Sequence, residues 1–281
     1  MTKSSAAQKR RIVAKAGQHQ AEIVRLIQSV ARSYGVATVW SDWMEMCAVA
    51  LAKIDRARAD AREERYLNIV KRYETPELAL LVQAFGHLTL EWEARCKTGE
   101  LGDVLGSTFM MLDLGSGHTG QFFTPYEVSR MMSAMLMPQG EALVAEVKRK
   151  GFLRLLEPAA GAGGMAIASA HALKDAGCNY QRDLHVTAID IDARCVHMTF
   201  VQLALLHIPA VVIHGNALTG ESWDQWSTPA HFLGDWGRRL FDRAQSACPA
   251  QSVSERVFAA TAEAVPKDLE IVMPATQMML F

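Results

Sequence analysis

Apolar residues recur at three- and four-residue spacing through the first third of the chain. Ile23, Leu26, Ile27 and Val30 form one set, and Trp43, Met46, Cys47, Ala50 and Leu51 a second. Leu78, Leu81, Val82, Phe85 and Leu88 form a third. This spacing places each set on one face of a helix, and no strand-like alternation interrupts it between His19 and Gly99. The mixed-sign stretch from Asp55 to Arg65 reads as an exposed helix face. The character changes near Gly99, where Gly102, Gly106, Gly115, Gly117 and Gly120 punctuate a loop-rich passage. Short apolar runs then alternate with helical patterns. Phe152–Leu156 is predicted as a strand, Met165–Asp175 as a helix, His185–Ile189 as a strand, Ala193–Leu206 as a helix and Ala210–Ile213 as a strand. Strand–helix alternation of this kind predicts an α/β fold with a parallel sheet and right-handed crossovers. Beyond Gly220 the pattern fades. Trp223, Trp226, Phe232 and Trp236 lie among polar residues, and from about Ser246 the chain turns rich in Ala, Ser, Gln and Pro, as expected of a mobile tail. The expected organisation is a helical amino-terminal domain over residues 1–100, an α/β domain over 101–245 and a flexible tail over 246–281.

Composition refines this picture only locally. The 281 residues, half of them hydrophobic, suffice for a sizeable core, and a formal net charge of −1 carries no general bias toward nucleic acid or membrane. The opening segment is basic (Lys3, Lys9, Arg10, Arg11, Lys15, Arg25 and Arg32 against Glu22), which suits either an arm along phosphates or a solvated helix start. Five scattered cysteines without a CxxC pair argue against a disulfide framework and against a zinc site, and no metal site is expected. The polar, basic amino terminus is unlike a signal peptide, and no run approaches the length of a membrane span. A soluble, cytoplasmic protein is expected.

The passage Leu155–Met165 carries candidate chemistry. An apolar run closes on Glu157, breaks into a turn with Gly161, Gly163 and Gly164, and resumes as a helix. Glycine allows positive φ and close approach of backbone to a ligand, and the first N–H groups of the next helix face whatever lies over the strand ends. That is the layout of a nucleoside-cofactor site in an open α/β sheet. Asp190 ends the second strand, where an acid can accept both ribose hydroxyls, whereas Asp192 reads as the cap of the following helix. Asn216, in His-Gly-Asn-Ala-Leu at 214–218, ends the third strand. Thr124-Pro125-Tyr126-Glu127 reads as a capping box with proline at the first helical position. It leaves Phe122 and Phe123 unexplained. Met111–Gly117 also looks like a glycine loop, but no helix of useful length follows it, so it reads as a connection into Gly120–Glu127.

Taken together, GQFFTP, then EPAAGAGG, an acid-ended strand and a GNAL turn resemble the amino-methyltransferases that modify adenine N6 in DNA. The likeness is nearest to the modification subunit of type I restriction systems and its phage and plasmid relatives, and it covers roughly Asp103 to Leu218. The resemblance implies a Rossmann-like methyltransferase core behind a helical domain, with S-adenosylmethionine as cofactor and DNA as partner. Phe122, Phe123 and Thr124 would line the methionine end of the cofactor. Glu157, Ala159 and Gly161 would cradle it, Asp190 would hold the ribose and Asn216 the adenine. A nicotinamide-dehydrogenase reading fits less well, because the turn is GAGG rather than GxGxxG and offers no use for GQFFTP.

The same resemblance exposes a gap. The family activates the weakly nucleophilic amine with an (N/D/S)PP(Y/F) loop whose aromatic ring stacks on the flipped base. This sequence has nine prolines and no two are adjacent. The nearest substitute is Thr228-Pro229-Ala230-His231-Phe232, with Thr228 as a hydrogen-bond acceptor and Phe232 as the stacking ring. The sheet is expected to be truncated, and another subunit is expected to supply target recognition. The alternative is a non-catalytic accessory protein of a mobile element. The last residues bear on that alternative. Gln277, Met278, Leu280 and Phe281 resemble the peptide by which bacterial replication and repair proteins dock on the DNA polymerase sliding clamp. His197 and His207 are expected to be structural, and the stripe Met131, Met132, Met135, Leu136 and Met137 to be adaptable core packing. Trp223, Trp226 and Trp236 suit either base stacking or ordinary packing over the sheet edge.

Overall fold

The computed structural model describes residues 17–115 and 123–247. Phe122, the residues from 248 onward and the clamp-like peptide with Gln277, Met278, Leu280 and Phe281 lie outside the described residues. Residues up to Arg239 belong to one compact unit and those from Leu240 to a second.

Four helices open the described chain: α1 (Gln18–Tyr34), α2 (Val36–Leu51), α3 (Ala59–Val70) and α4 (Thr75–Thr98). Their boundaries follow from local chemistry. Gly35 takes φ +82° between α1 and α2. Glu74 and Glu77 cap the start of α4 reciprocally around Pro76, and Gly99 closes it in the left-handed region. α1 buries Ile23, Leu26, Ile27 and Val30, as the spacing predicts. The third set is only partly inward: Leu81 and Leu88 are buried, but Val82 is 69% exposed. α1 packs on α4 and α2, and one buried core runs from these helices into the α/β part.

The loop-rich passage expected after Gly99 contains a helix, α5 (Val104–Met111), capped by Asp103, whose Oδ1 accepts Gly106 N–H at 2.7 Å. α6 (Tyr126–Leu136) corrects a further expectation. It begins one residue later than the capping box requires, with Pro125 as its N-cap and no side-chain cap bond. Glu127 therefore falls at the second helical position and cannot reach back as a third-position glutamate does. The methionine stripe is corrected too. Met131, Met135 and Leu136 are 56%, 78% and 64% exposed, because the buried side of α6 is the small one, Ser129 and Ser133, packed on the helix that follows the glycine turn.

After α7 (Glu141–Lys150), β1 (Leu153–Glu157), α8 (Gly164–Asp175), the short α9 (Tyr180–Asp183), β2 (Leu184–Asp190), α10 (Ala193–Leu205) and β3 (Ala210–Asn216) follow the predicted alternation. The three strands are parallel, in the order β1-β2-β3, with Glu157 beside Ala188 and Asp190 beside His214. His207 lies past the end of α10, in the left-handed region at φ +55°, while His197 is buried within the helix.

A strand not legible in the sequence follows. β4 (Glu221–Ser227) turns straight back along β3 as an antiparallel hairpin. Its Glu-Ser-Trp-Asp-Gln-Trp-Ser pattern is polar because the strand forms the sheet edge. Only its far end, Trp226 and Ser227, is buried. The helical part grips this hairpin. Arg62 pairs with Asp55 at 3.0 Å, donates to the Gln225 carbonyl at 2.8 Å and lies 4.0 Å over the Trp226 ring, and Arg65 bridges to Asp224 at 3.1 Å. α11 (Pro229–Leu233) and α12 (Trp236–Ala247) end the described chain. Trp236 packs edge-on against Phe152. Among the described residues no helix is long and apolar enough to cross a membrane.

Candidate cofactor site

Parallel strands deliver their carboxyl ends to one edge of the sheet, so Glu157, Asp190 and Asn216 come to the same edge. The turn after β1 lies over it. Gly161 and Gly163 both take positive φ (+56° and +91°), and Gly163 caps α8. The turn is tied on every side. Gly161 N–H donates to Asp190 Oδ2 at 2.8 Å, its carbonyl accepts the Thr199 hydroxyl at 2.9 Å, and Ala160 N–H donates to the Ile189 carbonyl at 2.9 Å. Phe123 covers it, since a Cβ built at Gly161 would lie 3.0 Å from the ring, and that ring packs 5.0 Å from Phe109. Of the residues expected here, the structure thus brings Phe123, Gly161 and Asp190 into direct contact. Thr124 is exposed beside Phe123, and Ala159 is exposed at the mouth of the turn.

Three contributors were missed. Gln202 donates to the Ala162 carbonyl at 2.6 Å and to Asp103 Oδ1 at 2.8 Å, and accepts Leu105 N–H at 3.0 Å. It thereby ties the glycine turn to α5. Asp103 is buried beside Gly164, and Thr199 holds Gly161. Only Gln202 left a signal in the sequence: a lone amide among the apolar residues Met198, Phe200, Val201 and Leu203, which requires partners if buried.

Glu157 and Asp190 form a half-buried carboxylate pair at this edge. Burial pushes the Glu157 carboxyl above its ordinary range. The bond from Ala159 N–H opposes the shift, and the nearby Asp190 charge adds to it. Burial raises Asp190 as well, against the bonds it accepts from the Asp192 and Gly161 amides. Asn216 Oδ1 accepts Leu218 N–H at 2.9 Å, which closes the turn and leaves the amide NH2 as donor.

The substitute catalytic loop is not at this site. Because β4 runs antiparallel, Thr228 arrives next to Ala210, at the opposite edge of the sheet. There its hydroxyl donates to the Ile208 carbonyl and accepts Ala210 N–H, both at 2.9 Å, and it is fully buried. A strand of seven residues separates it from Asn216, on the order of 20 Å. Phe232 lies in α11 on that same far side, next to the His231 ring. Thr228 and Phe232 therefore leave the set of candidates, for the topological reason that the hairpin carries them away from the strand ends.

Acid-ended parallel strands around a glycine turn, with a helix starting at that turn, are the layout of a nucleoside-cofactor site in an open α/β sheet, a layout that S-adenosylmethionine-dependent methyltransferases share. The family described as N-6 DNA Methylase matches residues 100–233. Over this segment the chain is similar to the N-6 DNA methylase family. A search of curated proteins finds no match.

Ala in place of Gly161 must adopt a left-handed conformation, costing roughly 1–2 kcal/mol, and push Phe123 aside. Gly161→Ala is expected to fold with a lowered melting temperature and to weaken cofactor binding at least tenfold. Unchanged calorimetric affinity would remove the turn from the site.

Proposed function

We propose that this chain binds S-adenosylmethionine at the carboxyl edge of β1–β3 and serves methyl transfer to adenine N6 in DNA. The observation that carries the reading is the approach of Phe123 and Asp190 to Gly161, which brings Phe123, the glycine turn and the end of the second strand together at the carboxyl edge of the sheet. The residues fit the cofactor. A cradle of glycines admits it, and two half-buried carboxylates suit a ligand bearing a sulfonium and an ammonium. When bound, S-adenosylmethionine supplies an electrophilic methyl group. Phe123 would pack on its methionine end with Phe122 and Thr124 alongside, and Glu157, Ala159 and Gly161 would cradle it. Asp190 would take the ribose hydroxyls through its remaining lone pairs, and the Asn216 amide would donate to the adenine.

A second reading has one specific observation in its favour. Thr228 and Phe232 sit at the wrong edge of the sheet, so the chain would hold the methyl donor without completing transfer alone, and a partner subunit would supply target recognition and the missing loop. Incubation with labelled S-adenosylmethionine and duplex or single-stranded DNA separates the two. Label in adenine from the isolated protein supports the enzyme. Calorimetric binding without label supports the second reading, and absence of binding rejects both.

The carboxylates predict a pH dependence. A carboxyl raised in the folded state adds stability below its unfolded pKa and loses that contribution as pH rises through the folded value. The ligand-free protein is thus relieved by acid, whereas the cationic cofactor needs both groups ionised. Affinity is expected to fall as the pH is lowered toward the carboxylate range, with proton release on binding. Calorimetry in two buffers of different ionisation enthalpy measures this, and a pH-independent affinity without proton release would remove Glu157 and Asp190 from the pocket.

A further inference from the structure

The six tryptophans divide sharply. Trp40, Trp43, Trp92, Trp226 and Trp236 are buried, while Trp223 is 52% exposed. The backbone puts it there. Between His214 and Gly215 the β3–β4 register shifts, so that His214 opposes Asp224 and Gly215 opposes Ser222, leaving Trp223 as the extra residue of a bulge. Gly215 is what permits this: a Cβ at that position would lie 2.2 Å from the Glu221 carbonyl oxygen. Bulges re-aim side chains, and they recur beside active sites.

The Trp223 ring is held rather than loose. It meets the His214 ring edge-on at 5.0 Å. His214 Nε2 lies 3.2 Å from the Ile191 carbonyl, which can only accept, so the tautomer protonated at that nitrogen ties the imidazole to Ile191. Ile191 follows Asp190 directly. Trp223 is thereby anchored to the rim of the cofactor site, on the edge of the sheet that Phe232 does not reach. Ile191 and Leu218, 62% and 99% exposed, extend the rim with further apolar surface.

We propose that Trp223 is the stacking platform for an unpaired base of the DNA, placed beside the methyl donor by the bulge at Gly215. The inference rests on the methyltransferase reading above. An amine on a base can reach a cofactor at the strand ends only if the base leaves its stack, and an exposed aromatic face replaces the stacking that is lost. Trp226 and Trp236 take no part, since both are fully enclosed by protein.

Trp223 is also its own probe. Titrating the full-length protein with a fluorescently labelled single-stranded oligonucleotide gives binding by anisotropy, while tryptophan emission at its red edge, where the solvent-exposed ring contributes most, reports stacking. Quenching is expected in the wild type and absent in Trp223→Phe and Trp223→Ala. Affinity should fall roughly 5- to 100-fold in Trp223→Ala, with much of it retained in Trp223→Phe. Calorimetric binding of S-adenosylmethionine by both variants checks that the pocket is intact. Oligonucleotide binding with unquenched emission and unchanged affinity in Trp223→Ala overturns the platform and leaves the DNA reading standing. Quenching by S-adenosylmethionine alone, with none from the oligonucleotide, assigns the ring to the cofactor's adenine and overturns the proposal. Absence of oligonucleotide binding overturns both.

Discussion

Asp190→Ala is expected to reduce S-adenosylmethionine affinity by two orders of magnitude or more, the largest single effect at the site. Two losses combine. The ribose would lose its acceptor, and Gly161 N–H would lose the 2.8 Å bond that fixes the glycine turn against β2. Hydrogen bonds to a charged group contribute about 1.5–3 kcal/mol each, so two such contacts account for a loss of that size. Asp190 Oδ1 also accepts Asp192 N–H at 2.9 Å, so the start of α10 should loosen as well. Asp190→Asn keeps the acceptor oxygen and is expected to recover part of the affinity. Titration calorimetry on the three proteins measures this directly. Equal affinity in wild type and Asp190→Ala would show that the cofactor, if it binds, binds elsewhere.

The second large effect concerns stability. Arg62 and Asp55 are 3% and 4% exposed, and the guanidinium also holds the Gln225 carbonyl and covers Trp226. Removing one member of a buried pair leaves the other charged and desolvated, which typically costs 3–5 kcal/mol. Arg62→Ala is therefore expected to lose about that much in denaturant unfolding, with Trp226 becoming accessible to quenchers as the hairpin loosens. In an Asp55→Asn, Arg62→Met double variant no charge is stranded, and most of the loss should be recovered. A loss below about 1 kcal/mol in Arg62→Ala would mean that the helices are held on β4 by apolar packing alone.

The parts of the site that were legible before folding share one property: their signal is local. The glycine turn, the acids ending two strands and the alternation of strand and helix are written in contiguous residues, since positive φ, strand termination and amphipathic spacing are decided within a few positions. The errors share the opposite property. Placing Thr228 and Phe232 at the site lets distance along the chain stand in for distance in space, and one antiparallel strand reverses that relation. The methionines of α6 looked like core because an apolar stripe does not state which side of a helix its neighbours occupy. Gln202, with bonds to Asp103, Ala162 and Leu105, could be suspected from its apolar company, but its partners lie 40 to 99 residues away.

By itself, then, the sequence determined the α/β alternation, the glycine turn and the acids that end two strands, and the family resemblance that the match over residues 100–233 bears out. Tertiary structure alone decided that β4 turns back on β3, that Thr228 is carried to the far edge, and that one tryptophan of three near the sheet stays exposed beside the strand ends. The physical reason is that backbone geometry and periodicity are set by neighbours in sequence. Strand direction, burial and the pairing of charges such as Arg62 and Asp55 are settled only when distant segments compete for the same surface.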